Sequence, residues 1–397
     1  MSLAASSGTD AADDKPRIAM VAHRVDDSGG MERVHAEIVR RLLDRYRFTI
    51  VASRVADDLR EQVDWRRVPL PSIPAPIRFV VFYGLGAILL RSVRADLVHV
   101  CGALVPNRAD VASVHFCHAG FITASGGLAP EGSPMGRRLN TSLERRLAVG
   151  AERWSYRPGR LRLLAPVSQQ VAGELRRAYP GVAVRETPNG VDLDRFCPDS
   201  SVRQVVRSEL GTDEGVTVAL FVGGDWDRKG LALAIDALAI ARASGAHVEL
   251  WALGSGDERR FRVQADAAGV AGAVRFLGRR PEAERYYQAA DVYLCCSSYE
   301  AFSLALLEAA ASALPVVATR VGGVAELLEG TGEQGGVVVA RRAPEVGAAL
   351  TALSDDVGRR ARFGRAARRR AERFGWDGLA DVVDGIYREL LAGATLR

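Results

Sequence analysis

The chain has 397 residues, 48% of them hydrophobic and 25% charged, with a formal net charge of +5. Those proportions exclude disorder as the main state, and at roughly 150 residues per domain the length points to two cores rather than one. Positive charge favours an anionic partner, such as a phosphorylated substrate or a membrane surface; nucleic acid is not expected, because no basic run is interleaved with aromatic residues as a single-strand groove requires.

Residues 1–16 lack the basic start and apolar run of a signal peptide and read as a loose tail. RIAMVAH at 17–23 reads as a buried strand, followed by the turn-rich DDSGG and an amphipathic helix over 32–46. Further strands follow at 48–53, 96–101 and 110–115, with a helix over 77–93 between the first two. The apolar run at 79–90 is too short for a bilayer, which takes about 20 residues, and reads as a core helix. A strand at 161–168 and a helix at 169–179 close this series, and the alternation predicts a parallel sheet covered on both faces. PNG at 188–190 then breaks the chain and marks a domain boundary.

Strands at 216–223, 247–254, 273–278, 291–297, 315–319 and 336–340, each followed by a helical pattern, predict a second α/β domain. An arginine-rich helix over 357–373 precedes an amphipathic one over 376–391, whose Leu379, Val382, Val383, Ile386 and Leu390 form a stripe that needs cover. The expected organisation is therefore a tail (1–16), a first domain (17–190), a second domain (191–375) and a C-terminal helix (376–397). Open α/β sheets bind ligands at the carboxyl ends of their strands, so a cleft between the halves is the expected site. The five cysteines form no CxxC pair and no metal cluster with histidine, which fits a reducing cytoplasm; adjacent Cys295 and Cys296 read as inert packing.

The strongest chemical signal is SSYEAFSLALLEAAASALPVVAT, in which a strand ends, a loop carries Glu300, and a helix starting near Ser303 carries Glu308. The free amides of Phe302, Ser303 and Leu304 at that helix start suit a phosphate, with Glu300 beside it. Glu308 lies on the edge of the inward stripe formed by Leu304, Leu307 and Ala311 and needs donors from protein or ligand. The bland alternative, that Glu300 serves only its own helix and Glu308 an internal ion pair, stands beside this reading. GGDWDRKG puts Arg228 and Lys229 at the start of the helix from Leu231, where cations oppose the helix dipole unless an anion joins them; otherwise they are solvated charges. Gly29 and Gly30 precede the first-domain helix and allow close backbone approach. There is no full G-x-G-x-x-G and no P-loop. His118 follows a first-domain strand, and His115 competes with it for the place facing the cleft.

In order and spacing, DDSGGMERVHAEIVRRL, PNGVDLDRF, FVGGDWDRKG, the Glu300/Glu308 pair and PVVATRVGGVAELL resemble the family-4 retaining glycosyltransferases over nearly the whole chain. The resemblance implies the α/β GT-B fold, two Rossmann-like doubly wound domains facing across a cleft, with the final helix crossing back to the first domain. It implies that a sugar, hexose-type and UDP-linked by preference with GDP next, is transferred from a nucleotide diphosphate sugar to a hydroxyl acceptor, with no obligatory metal or cofactor. Arg228 and Lys229 would bind the donor diphosphate, Glu308 the ribose hydroxyls, and Glu300 the donor sugar. Ala301, Phe302, Ser303 and Leu304 would form the loop contacting sugar and phosphates, and Gly29 and Gly30 the glycine loop facing them. Gly223 and Gly224 complete the phosphate side, Gly278, Arg279 and Arg280 the base side, and His118 would touch the sugar near the reacting carbon. The chain departs from the family at Ser303 and Ala301, where glycines are common. Two readings compete: a catalytically silent nucleotide-sugar-binding scaffold, and a peripheral membrane protein lying on anionic lipid through a basic helix over 137–162 with Trp154 and Tyr156.

Overall fold

The computed structural model describes residues 15–70, 73–125, 135–329 and 332–393; of the tail expected over 1–16, residues 1–14 lie outside the described residues. The chain divides into two compact units. One takes the described residues of Met1–Val167, Val171–Thr187 and Leu379–Arg397, the other Ser168–Gln170 and Pro188–Gly378.

The first unit is built on β1 (Arg17–Val21), β2 (Arg47–Ala52), β3 (Asp64–Arg67), β4 (Leu97–Cys101), β5 (Ala109–Val114), β6 (Leu161–Pro166) and β7 (Ala183–Val184). They lie in the order β3-β2-β1-β4-β5-β6-β7. These pairings are parallel, with Met20 between Ile50 and His99. Ile18, Ala19, Met20 and Val21 are all buried, as successive residues must be when helices cover both faces of a sheet. Just past β1 and β2, a side ladder sets Arg24 opposite Arg54 and Val25 opposite Val55. The helices that matter for the site are α1 (Gly30–Leu42), α2 (Ala75–Arg91), α3 (His118–Ser125) and α4 (Met135–Ser155).

The second unit holds β8 (Thr217–Val222), β9 (Val248–Leu253), β10 (Val274–Gly278), β11 (Val292–Cys295), β12 (Val316–Thr319) and β13 (Gly336–Val339), in the order β10-β9-β8-β11-β12-β13. Numbered along the chain, this is 3-2-1-4-5-6, the doubly wound dinucleotide-fold order; the first unit has the same order with one strand added. α5 (Leu231–Ala243) packs Leu231, Ile235 and Leu238 into a core with Phe221, Leu250 and Leu294. α6 (Leu304–Ala311) is buried from Leu306 to Ala311, which explains why its sequence is apolar nearly all round.

The last helix, α7 (Trp376–Leu391), enters the first unit from Leu379 onward. Leu379, Val383, Ile386 and Leu390 are buried as the stripe predicts, whereas Val382 is 39% exposed. The same face carries two buried polar residues that the stripe does not reveal. Asp384 accepts from the Tyr46 hydroxyl and from Arg45 Nη1, both at 2.8 Å. Tyr387 Oη lies 2.6 Å from His99 Nδ1, and His99 Nε2 lies 2.7 Å from Ser113 Oγ. Burial, with His115 nearby, lowers His99 to about 3, so the ring is neutral and both nitrogens depend on these two hydroxyls.

The extent of the basic helix read over 137–162 needs correction. The helix stops at Ser155, and Tyr156 is buried with its ring 5.2 Å from that of Tyr179. Trp154 is partly exposed, with the guanidinium carbons of Arg157 and Arg160 at 5.4 and 4.4 Å from its ring. The side chains of Arg137 and Arg138 lie outside the described residues. Among the described residues no helix is long and apolar enough to cross a membrane.

Removing one hydroxyl tests the anchoring of α7. Tyr387→Phe leaves a buried imidazole nitrogen without its partner and is expected to cost about 1–3 kcal/mol in urea unfolding. An unchanged midpoint would mean that the Tyr387–His99 contact contributes nothing to the anchoring of α7.

Candidate functional site

The strand order of the second sheet reverses between β8 and β11, and ligands of open α/β sheets bind outside the carboxyl ends at such a point. The loop leaving β8 begins with Gly223 and Gly224; the loop leaving β11 carries Ser297 and Glu300 and runs into α6. Before α5 the chain makes one helical turn, Trp226–Lys229, whose buried Trp226 donates from Nε1 to Gly223 O at 2.9 Å. Arg228 and Lys229 thus close this turn, and α5 is capped by Gly230 instead. The helix starts at Leu231 as read from the sequence, with the two cations just before its cap, and it is the alternative of free solvated charges that needs correction.

What they meet is Glu300. Its Oε1 accepts from Lys229 Nζ at 2.8 Å, from Arg228 Nη1 at 3.0 Å and from Ser297 Oγ at 2.8 Å. Arg228 also donates to Tyr299 O at 2.7 Å and, through Nε, to Asp225 at 3.1 Å. Burial would raise the Glu300 carboxyl, but the Lys229 and Arg228 charges and the bonds from Lys229 and Ser297 outweigh it and hold the group below its ordinary value. Burial likewise opposes the charge on Arg228, and Glu300 and Asp225 more than restore it. Backbone geometry makes this approach possible. Gly230 has φ 82°, and a Cβ there would run into Cys296 O; at Gly223, φ 144°, a Cβ would stand 3.0 Å from Lys229 Cε. Asp225 itself is in the left-handed region at φ 48°, which aspartate tolerates better than most side chains.

The loop after Glu300 is clamped from two sides. Gly322 N–H donates to Glu300 O and Asn189 Nδ2 to Phe302 O, both at 3.0 Å, and the Phe302 ring lies 5.6 Å from Phe374. Ala301 is buried with them. Ser303, at the position where glycine is common, caps α6: its Oγ accepts from Leu306 N–H at 3.3 Å. The first main-chain bond of the helix runs from Leu307 N–H to Ser303 O, so the amides of Phe302, Ser303 and Leu304 precede the ladder. Glu308 is buried one turn on and accepts from the Tyr287 hydroxyl at 3.0 Å. Gly278 ends β10, its carbonyl accepting from Gly254 N–H at 2.8 Å; Arg279 donates to Ser255 Oγ and Arg280 back to Leu277 O, each at 2.9 Å.

Gly29, Gly30 and His118 belong to the first unit. Gly30 is the first residue of α1 and Gly29 its extended N-cap. The group lying against Gly29 is the carboxylate of Glu32, which a Cβ there would strike, so the close approach expected of a ligand is made by a protein acid. His118 opens α3. Glu152 Oε1 accepts its backbone N–H at 3.0 Å and lies 2.7 Å from Nδ1, while Oε2 accepts from the Tyr179 hydroxyl at 2.7 Å. An ionised carboxylate only accepts, so the contact puts a proton on Nδ1 and leaves Nε2 for a ligand. His115 packs edge-on against His35 at 5.0 Å, and both line a cavity of about 440 Å³ together with His118. Among the described residues no group of three or more His, Cys, Asp or Glu side chains could hold a metal ion.

Two nucleotide-fold sheets in series define a GT-B protein, and solved structures with that fold superpose over nearly the whole chain. WaaG, a glycosyltransferase involved in lipopolysaccharide biosynthesis, matches with a TM-score of 0.75 at 22% identity, covering 93% of this chain and 100% of its own. Anabaena HepE in complex with UDP and glucose matches at 0.69 and 18%, covering 94% and 100%. In sequence, residues 28–195 match the family described as Glycosyltransferase Family 4, and residues 216–356 that described as Glycosyl transferases group 1. A D-inositol 3-phosphate glycosyltransferase from Kineococcus radiotolerans is 32% identical over 74% of this chain and 71% of its own length. One from Corynebacterium jeikeium is 32% identical over 57% of each chain. The chain belongs to the family-4 glycosyltransferases.

The depressed Glu300 carboxyl contributes stability that is present above the ordinary glutamate value of 4.5 and is lost as pH falls through its folded-state value. Thermal melts of wild type and Glu300→Gln, run from neutral pH down to about pH 3, should therefore converge as Glu300 takes up its proton. A gap that stays constant with pH would show that folding does not shift the Glu300 carboxyl.

Proposed function

We propose that the protein is a retaining transferase that moves a hexose-type sugar from a UDP-sugar to a hydroxyl of a small polyol phosphate, with no obligatory metal or cofactor. The observation that carries this reading is the contact of Arg228 and Lys229 with buried Glu300, beside the open amides of Phe302, Ser303 and Leu304. Glu300 and Asp225 balance the two cations, whose donors converge on this point, and the helix N-terminus adds its partial positive charge. That combination suits a diphosphate better than any neutral ligand.

UDP is favoured because HepE has been solved with UDP and with UDP-glucose, and GDP is the next choice. The acceptor class follows the name shared by the relatives in Kineococcus and Corynebacterium. In this reading Arg228 and Lys229 hold the diphosphate, and Glu300 fixes them and faces the sugar. Glu308 takes the ribose hydroxyls, Gly278 to Arg280 border the base, and His118 Nε2 accepts from a sugar hydroxyl. The bond from the anomeric carbon to the diphosphate oxygen breaks, and the acceptor oxygen bonds to that carbon on the same face. The acceptor's proton passes to the departing phosphate oxygen. Charge grows on the leaving group during this step, so preorganised cations lower the barrier more than they tighten substrate binding.

Arg228→Ala and Lys229→Ala are each expected to lower kcat by roughly 100-fold or more, the scale of losing one preorganised group. The assay is transfer from UDP-hexose to inositol 3-phosphate, with the product's anomeric configuration read by NMR. Wild-type turnover in both variants would refute the assignment, and inversion at the anomeric carbon would refute the mechanism. Transfer is expected to persist in chelator; complete loss there would overturn the metal-independent reading. Binding of UDP without transfer or donor hydrolysis would leave a silent nucleotide-sugar-binding protein.

A further inference from the structure

At the carboxyl ends of β1, β2 and β3 the first unit has a cavity of about 540 Å³, into which Arg24, Arg54, Arg67 and Arg78 all project. Their chain positions are unrelated, and it is the parallel sheet that gathers them. Arg24 and Arg54 are opposite one another in the side ladder, and both pair with buried Asp26, at 3.0 and 3.2 Å. Asp26 is in turn fixed by the Ser28 N–H at 3.0 Å. Arg67 and Arg78 are different. Among the described residues neither has a carboxylate partner, and Arg67 has only the Trp65 ring, 5.9 Å from its guanidinium carbon. Arg78 stands in the first turn of α2, where the helix dipole disfavours a cation. Its charge and, above all, burial hold His23 on the same wall down to about 4.

We infer that this cavity is a seat for a phosphate monoester, with Arg67 and Arg78 binding the dianion and Arg54 completing the cradle. Two unpaired guanidiniums match its charge, and their forked donors match its oxygens. The inference rests on the reading of the protein as a transferase to a polyol phosphate, and it deepens that reading by placing the acceptor's phosphate. The rest of the ligand has a path. This cavity shares a wall, including Glu32 and Glu144, with the cavity that His118 lines. Carboxylates accept from hydroxyls, so a polyol held by its phosphate at the arginines would have its hydroxyls aligned along the acids toward His118.

The test is calorimetric titration of inorganic phosphate at constant ionic strength into wild type, Arg67→Gln, Arg78→Gln, the double variant and Arg91→Gln, with UDP titrated into the same preparations. Arg67 and Arg78 are exposed and, among the described residues, without ion pairs, so the variants are expected to keep the wild-type melting temperature. Each single substitution should weaken phosphate about tenfold, the scale of one charged hydrogen bond, and the double variant further; Arg91→Gln, at the far end of α2, should match wild type. Wild-type phosphate affinity in the double variant, or no phosphate binding by wild type that still binds UDP, would overturn the seat and leave the transferase reading standing. Phosphate binding without UDP binding would do the reverse. Cosedimentation with phosphatidylinositol vesicles that depends on Arg67 and Arg78, without affinity for free phosphate, would reject a soluble monoester in favour of a lipid headgroup.

Discussion

The interaction on which the second unit's site depends is the contact of two cations with one buried carboxylate. Glu300 is 8% exposed, and an ionised acid there is tolerable only because Lys229, Arg228 and Ser297 converge on a single oxygen. Each of those donors is placed by something else. Trp226 pins the turn that carries the cations, Gly230 lets that turn press against Cys296, and Asn189 and Gly322 hold the loop on the other side. The aim of the cations at Glu300 thus depends on all of these contacts together.

The sheet order explains why the cluster forms where it does. β8 and β11 are neighbours in space but separated in sequence by two strands, because the chain turns back to the other side of β8 after β10. Their carboxyl-terminal loops diverge around the reversal, leaving room between them, and the loop after β8 and the loop after β11 supply opposite charges to it. In the first unit the same reversal lies between β1 and β4, and His23 after β1 and Gly102 after β4 line the cavity there.

Most of the fold was legible from short apolar strands alternating with amphipathic helices, since burial on both faces leaves unbroken apolar runs too short for a helix and bounded by turn residues. The final helix was read to the residue, from Trp376 to Leu391. What the periodicity could not carry was polar burial: Asp384 and Tyr387 lie on the inward face of that helix because Tyr46 and His99, remote in sequence, receive them. At the site, Glu300, Arg228 and Lys229 were visible as residue types, but their mutual contact was not, because 72 positions separate Arg228 from Glu300. Asn189 read as part of a chain break and of the PNGVDLDRF segment, with no partner foreseen, and Glu152 had no signal at all; its role appears only when α4 is laid against His118. Ser303 shows the opposite case, a departure from the family's glycine that has a plain physical use as a helix cap.

The two units use one strand order for two kinds of charge. In the second, charge is fixed by ion pairing around Glu300. In the first, the histidines that crowd the reversal contribute none at neutral pH: burial takes His115 to about 4, burial with Arg78 takes His23 to about 4, and burial puts His35 well below its ordinary value. Both ring nitrogens of His35 are buried without a hydrogen-bond partner among the described residues, which costs a neutral ring far less than a charged one. The positive charge of the first unit's cavities therefore rests on arginines, which do not lose their protons in any physiological range. A ligand bound there meets the fixed charge of the arginines, and near neutral pH the rings of His23, His35 and His115 act toward it as neutral hydrogen-bonding groups.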